Sequence, residues 1–326
     1  MRISIAMTTY NGAKYLREQL NSFLYQTLQP DELVVCDDGS TDATLEILED
    51  FRQQAPFAVR VYRNEANLGY IKNFEKAMAL CAGDVIFLSD QDDVWFDSKI
   101  DRIAREFILN DLACVIVNDA EIVHEDLKGT GLTVAGQLLS AGLIVEQLLL
   151  GCCISFRSSF KPLIFPIPSH IHGHDGWINT LGNTMHCRYF LSDVLQLYRR
   201  HTSNTSSFPT TNTVIAKKWN LFVEKIKWIN LRSGSLSASE RRLEQINVLK
   251  NRINAHKDYL RKFCSQGILV EEVISTLEQE LHANEFRRSL QQLPLVERFI
   301  ECLRYYSAGG YRQFDGWKSL IRDIVR

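Results

Sequence analysis

Three carboxylates crowd the segment Asp90-Gln91-Asp92-Asp93, directly after the apolar run 85–88. Carboxylates this close repel one another unless a cation or an array of donors balances them. Hard oxygen ligands suit Mn²⁺ or Mg²⁺, and Mg²⁺ typically binds through one or two carboxylates plus substrate phosphates. The cluster therefore points to a metal-bridged diphosphate. On its own, a solvated acidic turn would explain it as well. A second acidic group, Asp37-Asp38-Gly39-Ser40-Thr41-Asp42, follows the apolar residues 33–36. Part of it reads as an N-cap for the next helix. The surplus acid at the strand end can accept a base N–H or a ribose hydroxyl.

Both groups need a scaffold that brings several strand ends to one rim. Strand patterns at 3–7, 33–36, 59–62, 85–88 and 113–117 alternate with helical patterns at 15–24, 42–54, 70–81 and 97–109. In the first helix the polar Gln19 interrupts the apolar stripe. This alternation predicts an α/β fold, a mostly parallel sheet with helices on both faces. Such sheets place ligands at the carboxyl ends of their strands. Thr8-Thr9-Tyr10-Asn11 follows the first strand, the two acidic groups follow the second and fourth, and Asn118-Asp119 follows the fifth.

Taken together these pieces resemble the inverting nucleotide-sugar glycosyltransferases of family 2, which have the GT-A (Rossmann-like) fold. The segments that carry the resemblance are Thr8-Thr9-Tyr10-Asn11-Gly12, Asp37-Asp38-Gly39-Ser40-Thr41-Asp42, and Asn67-Leu68-Gly69 with Asn73. Ser89-Asp90-Gln91-Asp92-Asp93-Val94-Trp95 is similar to the family's metal motif, in the form found in the rhamnosyltransferase-like branch of bacterial surface-polysaccharide synthesis (O-antigen or capsule). Order and spacing agree over about the first 200 residues.

The resemblance implies roles. Thr8, Tyr10 and Asp38 would line the base and ribose, and Asn67, Gly69 and Asn73 the ribose and diphosphate. Asp90 and Asp92 form the DxD pair, with Asp92 or Asp93 touching Mn²⁺ or Mg²⁺. Arg200 would meet the diphosphate and His201 would complete the metal sphere. Gly151-Cys152-Cys153 falls on the acceptor side, with His174 and Trp177. The catalytic base of the family is an acid opening a helix. Here the segment reads His174-Asp175-Gly176-Trp177, with His where many relatives carry an acid, and the role falls to Asp175. The implied partners are a nucleotide-diphosphate sugar and a saccharide acceptor, lipid-linked by analogy. Two rivals remain: another nucleotidyl-handling enzyme, and a nucleotide-sugar-binding module without transfer. A dehydrogenase would need G-x-G-x-x-G after the first strand, where this chain has Thr8-Thr9-Tyr10-Asn11-Gly12.

Composition sets the outer bounds. The chain has 326 residues, 45% hydrophobic and 23% charged, which is ordinary globular usage and allows two domains. The net charge of -2 gives no basic field for nucleic acid. Charge is divided, however: residues 1–210 carry 17 Lys+Arg against 26 Asp+Glu, and 211–326 carry 20 against 13. Strand-helix alternation also stops near residue 211. We therefore expect a catalytic domain over 1–210 and a helical C-terminal region over 211–326, with the Ser/Thr-rich stretch 201–213 as linker.

The eight cysteines form no C-x-x-C pair, and His170, His172 and His174 lack the spacing of a helical ligand pair, so neither group reads as a zinc site. With no signal peptide and no apolar run long enough to span a bilayer, the expected location is cytoplasmic, extending to the inner face of the plasma membrane. Two amphipathic stripes close the chain: Leu295, Val296, Phe299, Ile300 and Leu303, then Trp317, Leu320, Ile321, Ile324 and Val325. Packing on the catalytic domain or in a homo-oligomer is the favoured reading, with an anionic membrane surface as the alternative.

Overall fold

The computed structural model describes residues 1–169, 171, 173–202, 204, 209–216, 238–263, 270–314 and 316–325. His170, His172 and Cys264 lie outside them, as does much of the expected linker. Contacts divide the chain into Met1–Leu231 and Arg232–Arg326.

The first unit opens with β1 (Ile3–Thr9), α1 (Ala13–Leu24), β2 (Glu32–Asp37), α2 (Thr44–Gln54), β3 (Ala58–Arg63), α3 (Tyr70–Leu80) and β4 (Val85–Ser89). The short β5 (Val94–Trp95), α4 (Lys99–Leu109), β6 (Val115–Val123), β7 (Gly129–Thr133) and α5 (Val134–Ser140) follow. Then come β8 (Ile154–Arg157), α6 (Lys161–Ile164), α7 (His174–Thr184) and β9 (Arg188–Arg199). These strands make one sheet in the order β3-β2-β1-β4-β8-β6-β9-β5, with β7 beside β6. β1, β2, β3 and β4 are parallel. β8 runs antiparallel to both β4 and β6, which gives β6 and its parallel neighbour β9 the direction of β1. The result is a mixed, mostly parallel sheet.

The apolar runs become central strands because a residue there is covered on whichever face it points to. Ile3, Ile5, Met7, Leu33, Val35, Val85 and Phe87 form one core with Leu16, Leu20 and Phe23 of α1, Ile47, Leu48 and Phe51 of α2, and Ile100, Ile103 and Phe107 of α4. α3 packs on β1 and β2, burying Phe74, Ala77 and Met78. Gln19, the apparent break in the stripe of α1, is buried and donates to Ser89 Oγ at 2.9 Å. It ties the first helix to the end of β4.

Val94 and Trp95 pair with Leu197 and Gln196 of β9, which anchors the segment after the acidic cluster. One expectation near the site needs correcting. Asn118 and Asp119 do not end a strand, because β6 continues to Val123. Asp119 instead accepts the N–H groups of Ala120 and Ala135, at 2.8 and 2.9 Å. After β9 the chain stays with the first unit, where the Gln137 amide holds the carbonyls of Asn212 and Val214 and the N–H of Ala216.

The second unit is helical in its described residues: α8 (Ala238–Ala255), α9 (Lys257–Phe263), α10 (Val270–Leu290), α11 (Leu295–Ser307) and α12 (Trp317–Val325). α8 packs on α10, and α11 on α12. No helix among the described residues is long and apolar enough to cross a membrane.

Candidate active site

The parallel strands deliver their loops to one rim, and hydrogen bonds stitch those loops together. Asp37, buried at the end of β2, accepts from Thr9 Oγ1 at 2.8 Å and from the N–H groups of Gly39 and Ser40 at 3.2 and 2.9 Å. Asp42 accepts from the N–H groups of Ala13 and Thr44, joining the starts of α1 and α2. These two acids build the loop, which accounts for part of the surplus charge after β2.

Asp38 has a different setting. Its carboxylate accepts from Asn64 Nδ2 and the Leu68 N–H at 2.8 Å each, and from the Gly69 N–H at 2.9 Å. Gly69 adopts φ +78°, a conformation that a residue without Cβ reaches cheaply. Asn67 donates to the Asp38 carbonyl at 3.3 Å. Asp38, Asn67 and Gly69 thus form one cradle. Asn73 stands behind it: buried, its amide bonds the Cys36 carbonyl and Asn64, both at 2.8 Å. Its side chain supports the cradle from below instead of facing a ribose. Thr8 is half-buried in β1, and Tyr10 is exposed.

The acidic cluster follows β4. Asp92 Oδ2 meets His201 Nε2 at 2.8 Å and Asn204 Nδ2 at 3.3 Å, so the end of β9 reaches the cluster. Asp93 is fully buried and accepts from the Arg199 N–H at 3.1 Å and Gln196 Nε2 at 3.2 Å. Ligand atoms of Asp90, Asp93 and Cys152 lie within 4.8 Å of one another. Burial lifts the Asp90 carboxyl well above the usual range, and Asp92, Asp93 and Asp175 lift it further. Burial and then Asp92 push Asp93 up to about 7. Burial likewise raises the Cys152 thiol well above its ordinary value.

These carboxylates are short of positive charge, which is the condition a divalent ion relieves. Asp90, Asp92 and Asp93 are the residues that could hold a hard cation, and His201 stands on Asp92. Asp93 has both oxygens engaged within the protein and Asp92 Oδ2 meets His201 and Asn204, while a protonated thiol is a poor ligand for Mn²⁺ or Mg²⁺.

Beneath Asp93 lies a group that the sequence did not announce. Lys99, buried, donates to the Cys152 carbonyl at 2.9 Å and to the Gln196 side-chain oxygen, and sits 4.0 Å from the centre of the Trp95 ring. Burial lowers its pKa to about 8, against the pull of Cys153, Cys152, Asp93 and Asp90. Gln196 is the one polar residue in the run Val194-Leu195-Gln196-Leu197, a weak signal in hindsight. Arg199 was also missed. It bonds the Asp92 carbonyl at 2.8 Å, the Glu125 carbonyl at 2.9 Å and the Glu18 carboxylate.

Across from the cluster, α7 begins with His174 and Asp175. Asp175 is half-buried, in the first helical turn, and its charge reaches both Asp90 and Tyr70. His174 is buried and stacked on Phe74, with ring centres 4.1 Å apart, and burial lowers its pKa. A Cβ on Gly151 would stand 2.8 Å from His174 Nε2, so the turn Gly151–Cys153 closes on α7 only because residue 151 lacks a side chain. Trp177 does not face an acceptor. It is fully buried, and its ring N–H bonds the Ile164 carbonyl at 2.9 Å. Arg200 lies at the end of β9 with its guanidinium on the Tyr198 hydroxyl at 3.1 Å. A cavity of about 1070 Å³ opens beside it, lined among others by Lys14, Tyr15, Glu125 and His201.

The sheet order, with acids at the ends of β2 and β4, defines a GT-A-like α/β domain. Residues 4–133 match the model of Glycosyl transferase family 2. The chain is 36% identical over 116 residues to an uncharacterized glycosyltransferase of a Nostoc species, a match covering 36% of each chain. It is 34% identical over 116 residues to the dTDP-rhamnosyl transferase RfbG of Shigella flexneri, covering 34% of this chain and 40% of that protein. The chain thus spans little over a third of the length of these curated relatives. Among solved structures, S. aureus TarS 1-349 in complex with UDP-GlcNAc superposes with a TM-score of 0.53 at 20% identity, over 96% of this chain and 90% of that one. That likeness is one of fold.

Proposed function

We propose that this chain transfers a sugar from a nucleoside-diphosphate sugar to a saccharide hydroxyl with inversion, in bacterial surface-polysaccharide synthesis. The observation that carries the reading is the turn at Gly151–Cys152, which meets both acidic segments: Cys152 Sγ lies within 4.8 Å of a carboxylate oxygen of Asp90, a Cβ on Gly151 would stand 3.8 Å from that of Asp175, and the charge of Asp175 helps to raise the Asp90 carboxyl. The name of the Shigella relative, a dTDP-rhamnosyl transferase, supports a nucleotide-sugar donor. A growing lipid-linked saccharide is the acceptor we propose.

In this reading the Asp38 cradle receives the ribose, with Thr8 and Tyr10 toward the base. Asp90 and Asp92, with His201, would hold Mn²⁺ or Mg²⁺, which when bound neutralises charge developing on the leaving diphosphate. Arg200 supplies a fixed positive charge on the same side. Asp175 accepts the proton of the acceptor hydroxyl as its oxygen bonds to the anomeric carbon and the bond to the diphosphate breaks. The N-terminus of α7 favours the ionised carboxylate that this task requires. His174 is poorly placed to compete, because burial makes its charged form costly.

The test is incubation with a panel of nucleotide sugars, Mn²⁺ and an oligosaccharide acceptor. Release of nucleoside diphosphate with a new glycosidic bond supports transfer. Release of pyrophosphate would favour a nucleotidyltransferase. Melting-temperature gains without turnover would favour a binding module.

A further inference from the structure

The second unit turns an apolar surface outward. α11 exposes Leu295, Val296, Phe299, Ile300, Leu303 and Tyr306, and the first two are 68% and 69% exposed. Their spacing puts all six on one helix face. The helix packs along the edge of this stripe: Cys302, in line with Leu295 and Tyr306, is buried, and Arg298 reaches the carbonyls of Gln291 and Leu293 at 3.2 and 2.9 Å. The stripe is therefore not covered from within the second unit.

α12 makes the inversion sharper. The residues it buries are polar: Ser319, and Asp323, which is 1% exposed and accepts two bonds from Arg287 at 2.6 and 2.8 Å. The residues it displays are Trp317, Ile321 and Val325, at 58%, 49% and 78% exposure. A helix that buries its carboxylate and shows its tryptophan is inside out for a surface facing water. The Arg287–Asp323 pair fixes this orientation, since rotating the helix would strand a buried charge.

Charge selects the occupant. Lys318 and Arg322 are exposed on the same outward sector of α12. On α11, Glu301 is paired to Arg304 at 2.6 Å and Glu297 is exposed at the border of the apolar stripe. Among the described residues, the outward sector of α12 holds no carboxylate. A two-fold contact between copies through α12 would set its cations against one another. Tryptophan, aliphatic side chains and basic residues on one helical face are instead the composition of an element lying in a lipid headgroup layer. We propose that α11 and α12 lay the second unit on an anionic membrane surface. Phe299, Trp317 and Ile321 enter the headgroup–acyl boundary, and Lys318 and Arg322 meet lipid phosphates. This inference is independent of the reaction assigned to the first unit.

The test is co-sedimentation of the full chain with phosphatidylcholine vesicles, with and without phosphatidylglycerol, across a salt series. The expected result is binding to the phosphatidylglycerol vesicles that weakens as salt rises. Lys318→Glu with Arg322→Glu should weaken it by at least about tenfold. Trp317→Ser with Ile321→Ser should abolish it, with far-ultraviolet circular dichroism confirming that both variants keep their helices. Equal binding to neutral vesicles, or binding indifferent to the charge reversal, overturns the proposal. So does an absence of vesicle binding together with a dimer in analytical ultracentrifugation that Trp317→Ser disperses, which would assign the face to a second copy.

Discussion

The side-chain amide of Gln91 pairs with both backbone groups of Tyr10, accepting from its N–H at 2.9 Å and donating to its carbonyl at 3.1 Å. Gly12 leaves the room for it, because a Cβ there would lie 2.1 Å from Gln91 Oε1. The loop after β1 and the acidic loop after β4 are thereby held as one piece. Gln91→Ala removes two bonds, each worth about 0.5–1.5 kcal/mol. We expect several-fold weaker binding of nucleoside diphosphate with Mn²⁺ and a fall of a few degrees in melting temperature. Gly12→Ala should reproduce the effect by displacing the amide. Calorimetry giving wild-type affinity for both variants would remove this role.

Asp92 joins the acidic cluster to His201 across the rim. Asp92→Ala should abolish the metal-dependent part of nucleotide binding and leave the fold intact. His201→Ala should weaken it less, since it leaves both DxD carboxylates in place. If titrations with and without Mn²⁺ give the same nucleoside-diphosphate affinity in the wild type, the metal assignment fails.

Lys99 holds the Cys152 carbonyl directly and supports Asp93 through Gln196. Lys99→Met should leave the Cys152 carbonyl and the Gln196 oxygen without this donor, at about 1–3 kcal/mol for each orphaned acceptor. A fall of several degrees in melting temperature is expected. Unchanged stability would mean that the network is replaceable.

Much of this scaffold is legible in the chain, and the reasons are physical. β1, β2 and β4 are apolar runs because both their faces are covered, and acids directly after such runs mark the rim. β5 is two residues long, and β8 is an antiparallel insertion between β4 and β6, so neither carries a clear period. Asp37, Asp42 and Asn73 look the same in sequence as Asp38, because a carboxylate or amide that builds a loop and one that could bind a ligand are the same residue type. Gln91 and Lys99 act through partners far along the chain, which no local pattern encodes. The stripes of α11 and α12 show which residues share a face. They do not show whether that face points in or out, and for α12 the Arg287–Asp323 pair decides it.

Asp93 predicts a pH signature. Its folded pKa is about 7, against about 3.9 for an ordinary Asp. On rising pH the unfolded chain releases this proton first. The stability linked to Asp93 is thus full below the ordinary value and lost as pH rises through about 7. Without added metal, the melting temperature of the wild type should fall relative to that of Asp93→Asn across this window. Mn²⁺ should reduce the fall. A difference that stays flat with pH would show that Asp93 ionises normally in the fold.

The central claim is that Asp175 takes the acceptor's proton opposite the diphosphate held at Asp90 and Asp92. The most direct measurement is the transfer rate and donor affinity of Asp175→Asn beside His174→Ala. The account predicts a rate loss of about 10²–10⁴-fold for Asp175→Asn, with donor affinity near wild type. For His174→Ala it predicts a smaller loss. Near wild-type transfer by Asp175→Asn, with the rate lost in His174→Ala, would contradict the account and make the buried imidazole the base.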